Sequence, residues 1–237
     1  MSVCRTAKSS IGGKWLMALT GLALVLFVIA HMIGNLQVFA GREKLNHYAE
    51  TLQALGPVLW LMRLGLLTIF VLHVWTAFQV NAANKAARPV PYRTAQPQVT
   101  SYAARTMLWS GLVVLAFLLY HLAHFTLGVT NPDHSALKET IHQFDAATGV
   151  TGAIQRHDVY GMVIAGFQVP LVAGLYVIAQ ALLCLHISHG ASSALQTLGV
   201  THPALRGVKD KLGVALATVI FLGNCSIPVS ILAGWVK

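Results

Sequence analysis

The stretch WLMALTGLALVLFVIAHMIGNLQVFAG, from Trp15 to Gly41, contains no aspartate, glutamate, lysine or arginine. About 20 apolar residues in a helix cross the roughly 30 Å hydrocarbon core of a bilayer, because each residue rises about 1.5 Å. A cleavable signal peptide has a shorter apolar core and a small-residue cleavage site, and no such site precedes Arg42. The stretch therefore predicts a transmembrane helix that is retained in the protein.

Four further stretches have the same character, and the composition of the whole chain agrees with them. Of the 237 residues, 56% are hydrophobic and only 10% are charged, with a mean hydropathy of +0.66. A soluble domain carries about 25% charged residues, so this chain cannot cover itself with a water-soluble surface. We expect one all-α membrane domain, 1–237, with five transmembrane helices at about 13–39, 58–84, 103–129, 159–190 and 209–236.

Lysines and arginines at the ends of these spans predict their orientation, because cytoplasmic loops carry an excess of them. Of the 16 lysines and arginines, ten lie on one side of the predicted membrane. The other six are spread over the opposite side, which we predict to be the outer side. The N-terminus is thus predicted in the cytoplasm and the C-terminus outside. No basic run stands beside stacking aromatics, so the net charge of +9 does not indicate a nucleic-acid partner. The ten residues that mark the cytoplasmic side are Arg5, Lys8, Lys14, Lys85, Arg88, Arg93, Arg105, Arg206, Lys209 and Lys211.

Two connections between the spans differ from the short loops elsewhere. The cytoplasmic linker 87–97 contains Pro89, Pro91 and Pro97, which predict an extended, non-helical segment. The outer connection 130–158 is long and polar, and we expect an ordered loop there rather than a separate domain.

Six of the eleven histidines lie within the predicted spans or at their ends: His31, His73, His121, His124, His186 and His189. Ionisable groups at membrane depth are costly and usually functional. No aspartate or glutamate accompanies them in any span, which argues against a carboxylate-lined proton or cation pathway. Neutral imidazoles that bind a metal fit this pattern better, although a single histidine can also be a hydrogen-bonded packing residue.

The depth of each histidine follows from the helical rise and the direction of its span. His31 and His121 lie far along spans I and III, which run outward, so both should be near the outer face. Spans II and IV run inward. His73 lies past the middle of span II and His186 near the end of span IV, so both should be near the inner face. Two stacked pairs are what two bis-histidine haem b groups require, and spans I to IV are expected to form the haem-binding bundle.

Several further residues are candidates for contacts with the haems. His124 and His189 follow proposed ligands by three residues, so each can replace its neighbour or can contact a propionate or a quinone oxygen. Trp75 either packs between helices or lies flat against a bound ring. Gly34 either lets a macrocycle approach the backbone or only lets helices pack closely. Basic residues near the surfaces can pair with propionates or can act only as topology signals: Arg42, Lys44 and Arg156 outside, and Arg105, Lys209 and Lys211 inside.

The chain resembles the cytochrome b subunit of succinate dehydrogenase and fumarate reductase, in its five-helix, di-haem form. The resemblance covers nearly the whole chain, and its most specific segments are HDVYGMVIAGFQVP at His157–Pro170 and CLHISHGASSALQTLGVTHP at Cys184–Pro203. In LNHYAETL, Leu45 replaces a more usual aromatic residue. Further matching segments are SSIGGKWLMALTGL, AHMIGNLQVF, LHVWTAF and LLYHLAHFTLG.

Membership of this family implies a set of cofactors, partners and ligands. The axial ligands implied are His31, His73, His121 and His186, one on each of spans I to IV. The partners implied are a flavoprotein that interconverts succinate and fumarate and an iron–sulfur subunit on the cytoplasmic face. Electrons would pass between that subunit and a quinone, typically menaquinone, in a prokaryotic cytoplasmic membrane. No dicarboxylate chemistry and no catalytic residue are expected in this chain.

Three other interpretations remain open on the sequence. A di-haem anchor of another membrane dehydrogenase, such as a hydrogenase or formate dehydrogenase, would have the same histidines and a different partner. A haem-free channel or transporter would line a pathway with them. A related anchor that has lost one haem would hold about one haem per chain.

Overall fold

A computed structural model of the protein describes residues 10–87, 102–145 and 150–237. The linker predicted to be extended lies almost wholly outside these residues, as do Arg5, Lys8, Arg88 and Arg93. The helices are α1 Ser10–Asn35, α2 Arg42–Ala54, α3 Pro57–Ala86, α4 Tyr102–Arg105, α5 Met107–His121, α6 Pro132–Ser135, α7 Val159–Phe167, α8 Pro170–Thr197 and α9 Arg206–Leu232. Short 3-10 segments, Leu36–Ala40 and Pro203–Leu205, precede α2 and α9, and two strands lie between α6 and α7.

Within these described residues, five helical stretches are long and apolar enough to cross a membrane, as many as the sequence predicts. They are Ile11–Ala40, Pro57–Ala86, Met107–Thr126, Pro170–Thr197 and Gly207–Leu232. Many large apolar side chains along them are exposed in the isolated chain, as expected for surfaces that lie against lipid. The chain is therefore a multi-pass, predominantly helical membrane protein.

The fourth span begins later than the predicted range 159–190. Helix α7 ends at Phe167, and α8 starts at Pro170 after a two-residue break. Proline has no backbone N–H and disfavours helical geometry in the residue before it, here Val169, so a new helix begins with proline in its first turn. The stretch that is long and apolar enough to cross a membrane is α8, and α7 is a separate short helix before it.

The third span ends in an irregular turn that the sequence pattern did not predict. Residues Leu122–Thr126 form a π-helix, in which the Leu127 N–H donates to the Leu122 carbonyl. A π-turn widens the helix by one residue and so changes the direction of the side chains that follow. It lies between His121 and the turn at Gly128, whose positive φ of 65° suits glycine.

The described residues of the connection 130–158, which is predicted to be on the outer side, include an antiparallel pair of strands, β1 Lys138–Asp145 and β2 Val150–His157. We call this pair the hairpin. The register pairs Lys138 with His157 and Asp145 with Val150. The side chain of Asp158 then caps α7 by accepting from the Gly161 N–H at 2.9 Å. A Cβ atom at Gly161 would clash with Asp158 Oδ2, so this cap leaves room only for glycine in the DVYG segment.

A polar cluster joins α2 to the hairpin and to α7. Arg156 is 8% exposed, and its guanidinium donates to Glu43 at 2.5 Å and to Glu139 at 3.1 Å. Asn46 donates to Glu139 and Asp158 and accepts from the Tyr160 N–H at 2.8 Å. We call these residues, together with Arg42 and Glu50, the outer polar cluster.

The chain divides into two compact units, and each span contributes residues to both. Unit 1 comprises Met1–Ala30, Trp60–Val113 and Ala181–Phe221. Unit 2 comprises His31–Leu59, Val114–Gln180 and Leu222–Lys237. The core of unit 1 is formed by Ile187, Ala191, Ala217 and Ile220. The core of unit 2 is formed by Val38, Leu45, Tyr160, Ile164, Phe167, Ala173, Tyr176, Ile227 and Ile231.

Candidate cofactor-binding sites

Unit 1 contains one pair of facing histidines, His73 on α3 and His186 on α8. Their ring centres are 6.4 Å apart, and the ring planes make an angle of 74°. Both side chains are half-buried. Two imidazoles from different helices are thus held close together but not stacked.

A hydroxyl group lies against the Nδ1 atom of each of these histidines. Thr20 Oγ1 is 3.2 Å from His73 Nδ1, and Ser110 Oγ is 3.2 Å from His186 Nδ1. Thr20 donates its own hydrogen to the Leu16 carbonyl at 2.7 Å, and Ser110 donates to the Met107 carbonyl at 3.1 Å.

A hydroxyl has only one hydrogen, so Thr20 and Ser110 can only accept from the imidazoles. With the hydroxyl hydrogens directed to the helix backbone, each histidine donates from Nδ1 and keeps a lone pair on Nε2, the nitrogen through which it could bind a metal. Metal-binding histidines in proteins are usually oriented in this way.

A glycine follows each of the two hydroxyl residues and lets the helix backbone approach the imidazole. A Cβ atom at Gly21 would lie 3.1 Å from His73 Cε1, and one at Gly111 would lie 3.3 Å from His186 Cε1. Both distances are tighter than ordinary packing contacts, so larger residues would push the rings away.

Unit 2 contains the second pair, His31 on α1 and His121 at the end of α5. Their ring centres are 5.8 Å apart, with an angle of 88° between the planes. His31 is exposed and His121 is half-buried. The structure therefore brings together the same two pairs that the helical rise predicts.

His124 is the most deeply buried of the six histidines of the spans, at 1% exposed, and both of its ring nitrogens are hydrogen-bonded. Its Nδ1 lies 3.0 Å from Tyr176 Oη, and its Nε2 lies 2.7 Å from Asn131 Nδ2. A nitrogen that already has a partner is not available to a metal. This favours His121 over His124 as the ligand on the third span, and the assignment stays a prediction.

The separation of the rings fits one metal ion between each pair. A metal–nitrogen bond of about 2.0 to 2.1 Å, plus about 1.1 Å from nitrogen to ring centre, places two opposed imidazole centres about 6.3 Å apart. The observed separations are 5.8 and 6.4 Å. Each imidazole can rotate about its own metal–nitrogen bond, so rings that are nearly perpendicular are compatible with shared ligation.

Two imidazoles alone would leave most of the coordination sphere of a metal empty. Among the described residues, no group of three or more histidine, cysteine, aspartate or glutamate side chains is arranged to hold a metal ion. The remaining ligands would therefore have to come with the metal, as the four nitrogens of a porphyrin do in haem. The residues present fit haem better than a bare ion.

The other predicted contact residues have varied surroundings. The indole of Trp75 is 54% exposed. A Cβ atom at Gly34 would meet Tyr48 Oη at 2.6 Å, so this glycine makes room for a tyrosine of α2. Arg105 is exposed with its guanidinium 6.0 Å from the centre of the Tyr102 ring. His189 is half-buried and close enough to Asp210 to interact electrostatically.

Two of the outer basic residues suggested as propionate partners already have carboxylate partners. Arg42 forms an ion pair with Asp158, and Arg156 forms ion pairs with Glu43, Glu50 and Glu139. Both arginines stabilise the protein fold on this side, which weakens the case for a propionate role at these positions.

Sequence reasoning did not find Thr20, Ser110, Asn131 or Tyr176, all of which contact the intramembrane histidines. A hydroxyl residue followed by glycine in an apolar span, as in Thr20–Gly21 and Ser110–Gly111, is the signal that points to the first two. Tyr176 and Asn131 have no such local signal, because their partners depend on how α8 and the π-turn pack.

Comparisons with protein-family models, with curated proteins and with solved structures found no match to this chain.

Proposed function

We propose that this protein is a di-haem cytochrome b that anchors a succinate:quinone oxidoreductase, a succinate dehydrogenase or fumarate reductase, in the membrane. The observation that carries the proposal is the presence of two histidine pairs, each formed between two transmembrane helices at a separation that suits one metal. Four intramembrane imidazoles in two matched pairs have no simple explanation as packing residues.

The side chains of the chain would bind and orient the two haems. His73 and His186 would ligate one iron through Nε2, with Thr20 and Ser110 holding the opposite nitrogens. His31 and His121 would ligate the other. Haem with two imidazole ligands supplies a reversible one-electron centre and has no open position for oxygen.

The partner and the substrate of the complex are supported by the resemblance of the motifs. The segments at His157–Pro170 and Cys184–Pro203 resemble the succinate dehydrogenase family in residues that apolar periodicity alone would not produce. They favour an iron–sulfur subunit and a flavoprotein on the cytoplasmic face and menaquinone in the bilayer. The membrane would then be a prokaryotic cytoplasmic membrane.

Four alanine variants test the haem ligands. We expect His31→Ala and His121→Ala each to remove one haem, and His73→Ala and His186→Ala each to remove the other. His142→Ala is a matched control, since this histidine is exposed in β1. Haem per chain, measured as the pyridine haemochrome of protein purified in detergent, should fall from two to one in the four variants and stay at two in the control.

The same material separates the competing functions. Haem that succinate reduces in the purified complex supports the proposed partner, whereas haem indifferent to succinate indicates an anchor of another dehydrogenase. A wild-type chain without a reduced-minus-oxidised haem spectrum would contradict the proposal and favour a channel or transporter. One haem per wild-type chain would indicate an anchor that has lost a site.

A further inference from the structure

Tyr176, His124 and Asn131 form a continuous hydrogen-bonded chain that leads to His121. Tyr176 Oη lies 3.3 Å from His121 Nδ1 and 3.0 Å from His124 Nδ1. Asn131 Nδ2 lies 2.7 Å from His124 Nε2 and 3.4 Å from His134 Nδ1. The ring of His124 is buried, so each of its contacts is made with protein and the hydrogens must follow one consistent direction.

The hydrogen bonds of this series can all point in either of two directions, because a neutral imidazole has one N–H and one lone pair, and a phenol has one hydrogen. In the arrangement of this structure, Asn131 Nδ2 donates to His124 Nε2. The Nδ1–H of His124 then donates to Tyr176, and the Tyr176 hydroxyl donates to His121 Nδ1. His121 carries its own hydrogen on Nε2 in this direction, which closes that nitrogen to a metal.

When the hydrogen bonds point in the opposite direction, His121 Nε2 keeps its lone pair and can bind a metal. Its Nδ1–H donates to Tyr176 Oη, the Tyr176 hydroxyl donates to His124 Nδ1, and the Nε2–H of His124 donates to the side-chain oxygen of Asn131. This requires a turn of about 180° of the Asn131 amide, which exchanges its oxygen and nitrogen without moving the backbone.

We infer that Tyr176 is a positioning residue that, with His124 and Asn131, selects the form of His121 able to bind haem iron through Nε2. The inference rests on the proposed function, because iron at His121 is what selects the second direction. His124 is accordingly a relay of hydrogen bonds and not a ligand. An acceptor on Nδ1–H makes an imidazole a stronger ligand, which favours oxidised iron.

Tyr176→Phe removes the hydroxyl and keeps the ring, and Tyr120→Phe is its matched control. The Tyr120 ring centre lies 5.6 Å from His124 and 6.0 Å from Tyr176, while its hydroxyl makes no hydrogen bond to a histidine among the described residues. The readout is a redox titration of haem absorbance in the full chain, following the haem that His121→Ala removes.

We expect Tyr176→Phe to keep two haems and to shift the ratio of oxidised to reduced haem at this site three- to tenfold toward reduced haem. That corresponds to a midpoint potential about 28 to 59 mV more positive, at 59 mV per tenfold change for one electron. Tyr120→Phe should leave the potential unchanged. Asn131→Leu, which removes the far end of the chain, should shift it in the same direction by a smaller factor.

Two failures are distinguishable. A wild-type chain without haem, or haem that survives His121→Ala, overturns the proposed function and this inference with it. Two haems that respond to the histidine variants, with no shift in either Tyr176→Phe or Asn131→Leu, overturn the inference alone. If the Tyr176→Phe protein does not accumulate, the test rests on Asn131→Leu. A more positive midpoint potential in Asn131→Leu supports the proposed series of hydrogen bonds, and an unchanged potential overturns it.

Discussion

Thr20 and Ser110 occupy equivalent positions opposite the two histidines of unit 1. Each belongs to a different helix from its histidine, and each donates its hydrogen to its own helix backbone. A hydroxyl that is already a donor becomes a pure acceptor, so each residue sets the tautomer of the imidazole that it contacts. These two contacts therefore determine which nitrogen of His73 and of His186 keeps the lone pair that a metal would need.

Thr20→Val tests this role, because valine keeps the shape of threonine and removes the acceptor. We expect the haem between His73 and His186 to be retained and its midpoint potential to rise by about 20 to 60 mV, since a hydrogen bond contributes about 0.5 to 1.5 kcal/mol and 59 mV is tenfold. A redox titration of haem absorbance measures the shift.

Thr68→Val is the control for that substitution. Thr68 makes the same bond to its helix backbone, to the Leu64 carbonyl at 2.8 Å, but is exposed on α3. Equal shifts in the two variants would contradict the proposed role of Thr20, as would a shift confined to the haem of His31 and His121.

At the scale of elements, α2 and the hairpin are joined by the outer polar cluster. Arg156 on β2 lies between Glu139 on β1 and Glu43 and Glu50 on α2. Carboxylates around a buried guanidinium stabilise it only while all of them keep their geometry. Their hydrogen bonds raise the pKa of Arg156 above its ordinary value, with Glu43 as the largest cause, so this arginine stays charged at every practical pH.

Arg156→Leu is expected to destabilise the protein, because it leaves three carboxylates facing one another without a cation. Removing one partner of a buried ion pair costs about 3 to 5 kcal/mol, and the partial exposure of the glutamates reduces this to about 2 to 4 kcal/mol. Thermal unfolding in detergent, followed by circular dichroism, measures the loss. Arg63→Leu is the control, since Arg63 is exposed and contacts only the Trp60 ring among the interactions described; equal losses would contradict the role of the cluster.

The same cluster predicts a pH dependence of stability. The hydrogen bond from Arg156 is the largest cause that lowers the pKa of Glu43 below its ordinary 4.5. A carboxyl whose pKa is lower in the folded state stabilises the fold above the unfolded value, and this contribution is lost as the pH falls through the folded value. We expect the Tm of the wild type to fall between about pH 5 and pH 3 more steeply than that of Glu43→Gln. Parallel curves for the two proteins would contradict this assignment.

At the scale of the whole molecule, charge is distributed unequally between the two units. Six of the seven acidic residues belong to unit 2, and Asp210 alone belongs to unit 1. Of the ten basic residues predicted on the cytoplasmic side, the six that the structure describes belong to unit 1. Arg63 also belongs to unit 1, although its position between spans I and II predicts the outer side. The orientation of the chain stays a prediction.

Much of the architecture could be predicted because it depends on hydropathy and on the helical rise, and both follow directly from the order of residues in the sequence. Hydropathy alone located five spans, since the bilayer requires an apolar stretch of minimum length. The helical rise of about 1.5 Å per residue placed His31 with His121 and His73 with His186. The break before Pro170 was not predicted, although it agrees with the local rule that proline begins a helix more easily than it continues one.

Other features required the tertiary structure, because they depend on which groups meet across helices. The π-turn after His121, the pairing of Tyr176 with two histidines and the role of Gly34 beside Tyr48 all arise from packing. The hairpin depends on the register between two strands, and the outer polar cluster depends on α2 folding back against it.

The sequence alone was enough to predict a membrane protein with five membrane-spanning helices and with histidines at matched positions along four of them. Spacing along a helix is a local property, so it needs no knowledge of the neighbours. The packing of the helices specifies that Nδ1 of His73, His121 and His186 each has a hydrogen-bond partner, and that His124 has a partner on both nitrogens. A hydrogen bond depends on distance and direction between groups remote in the chain, and only the packed helices specify these.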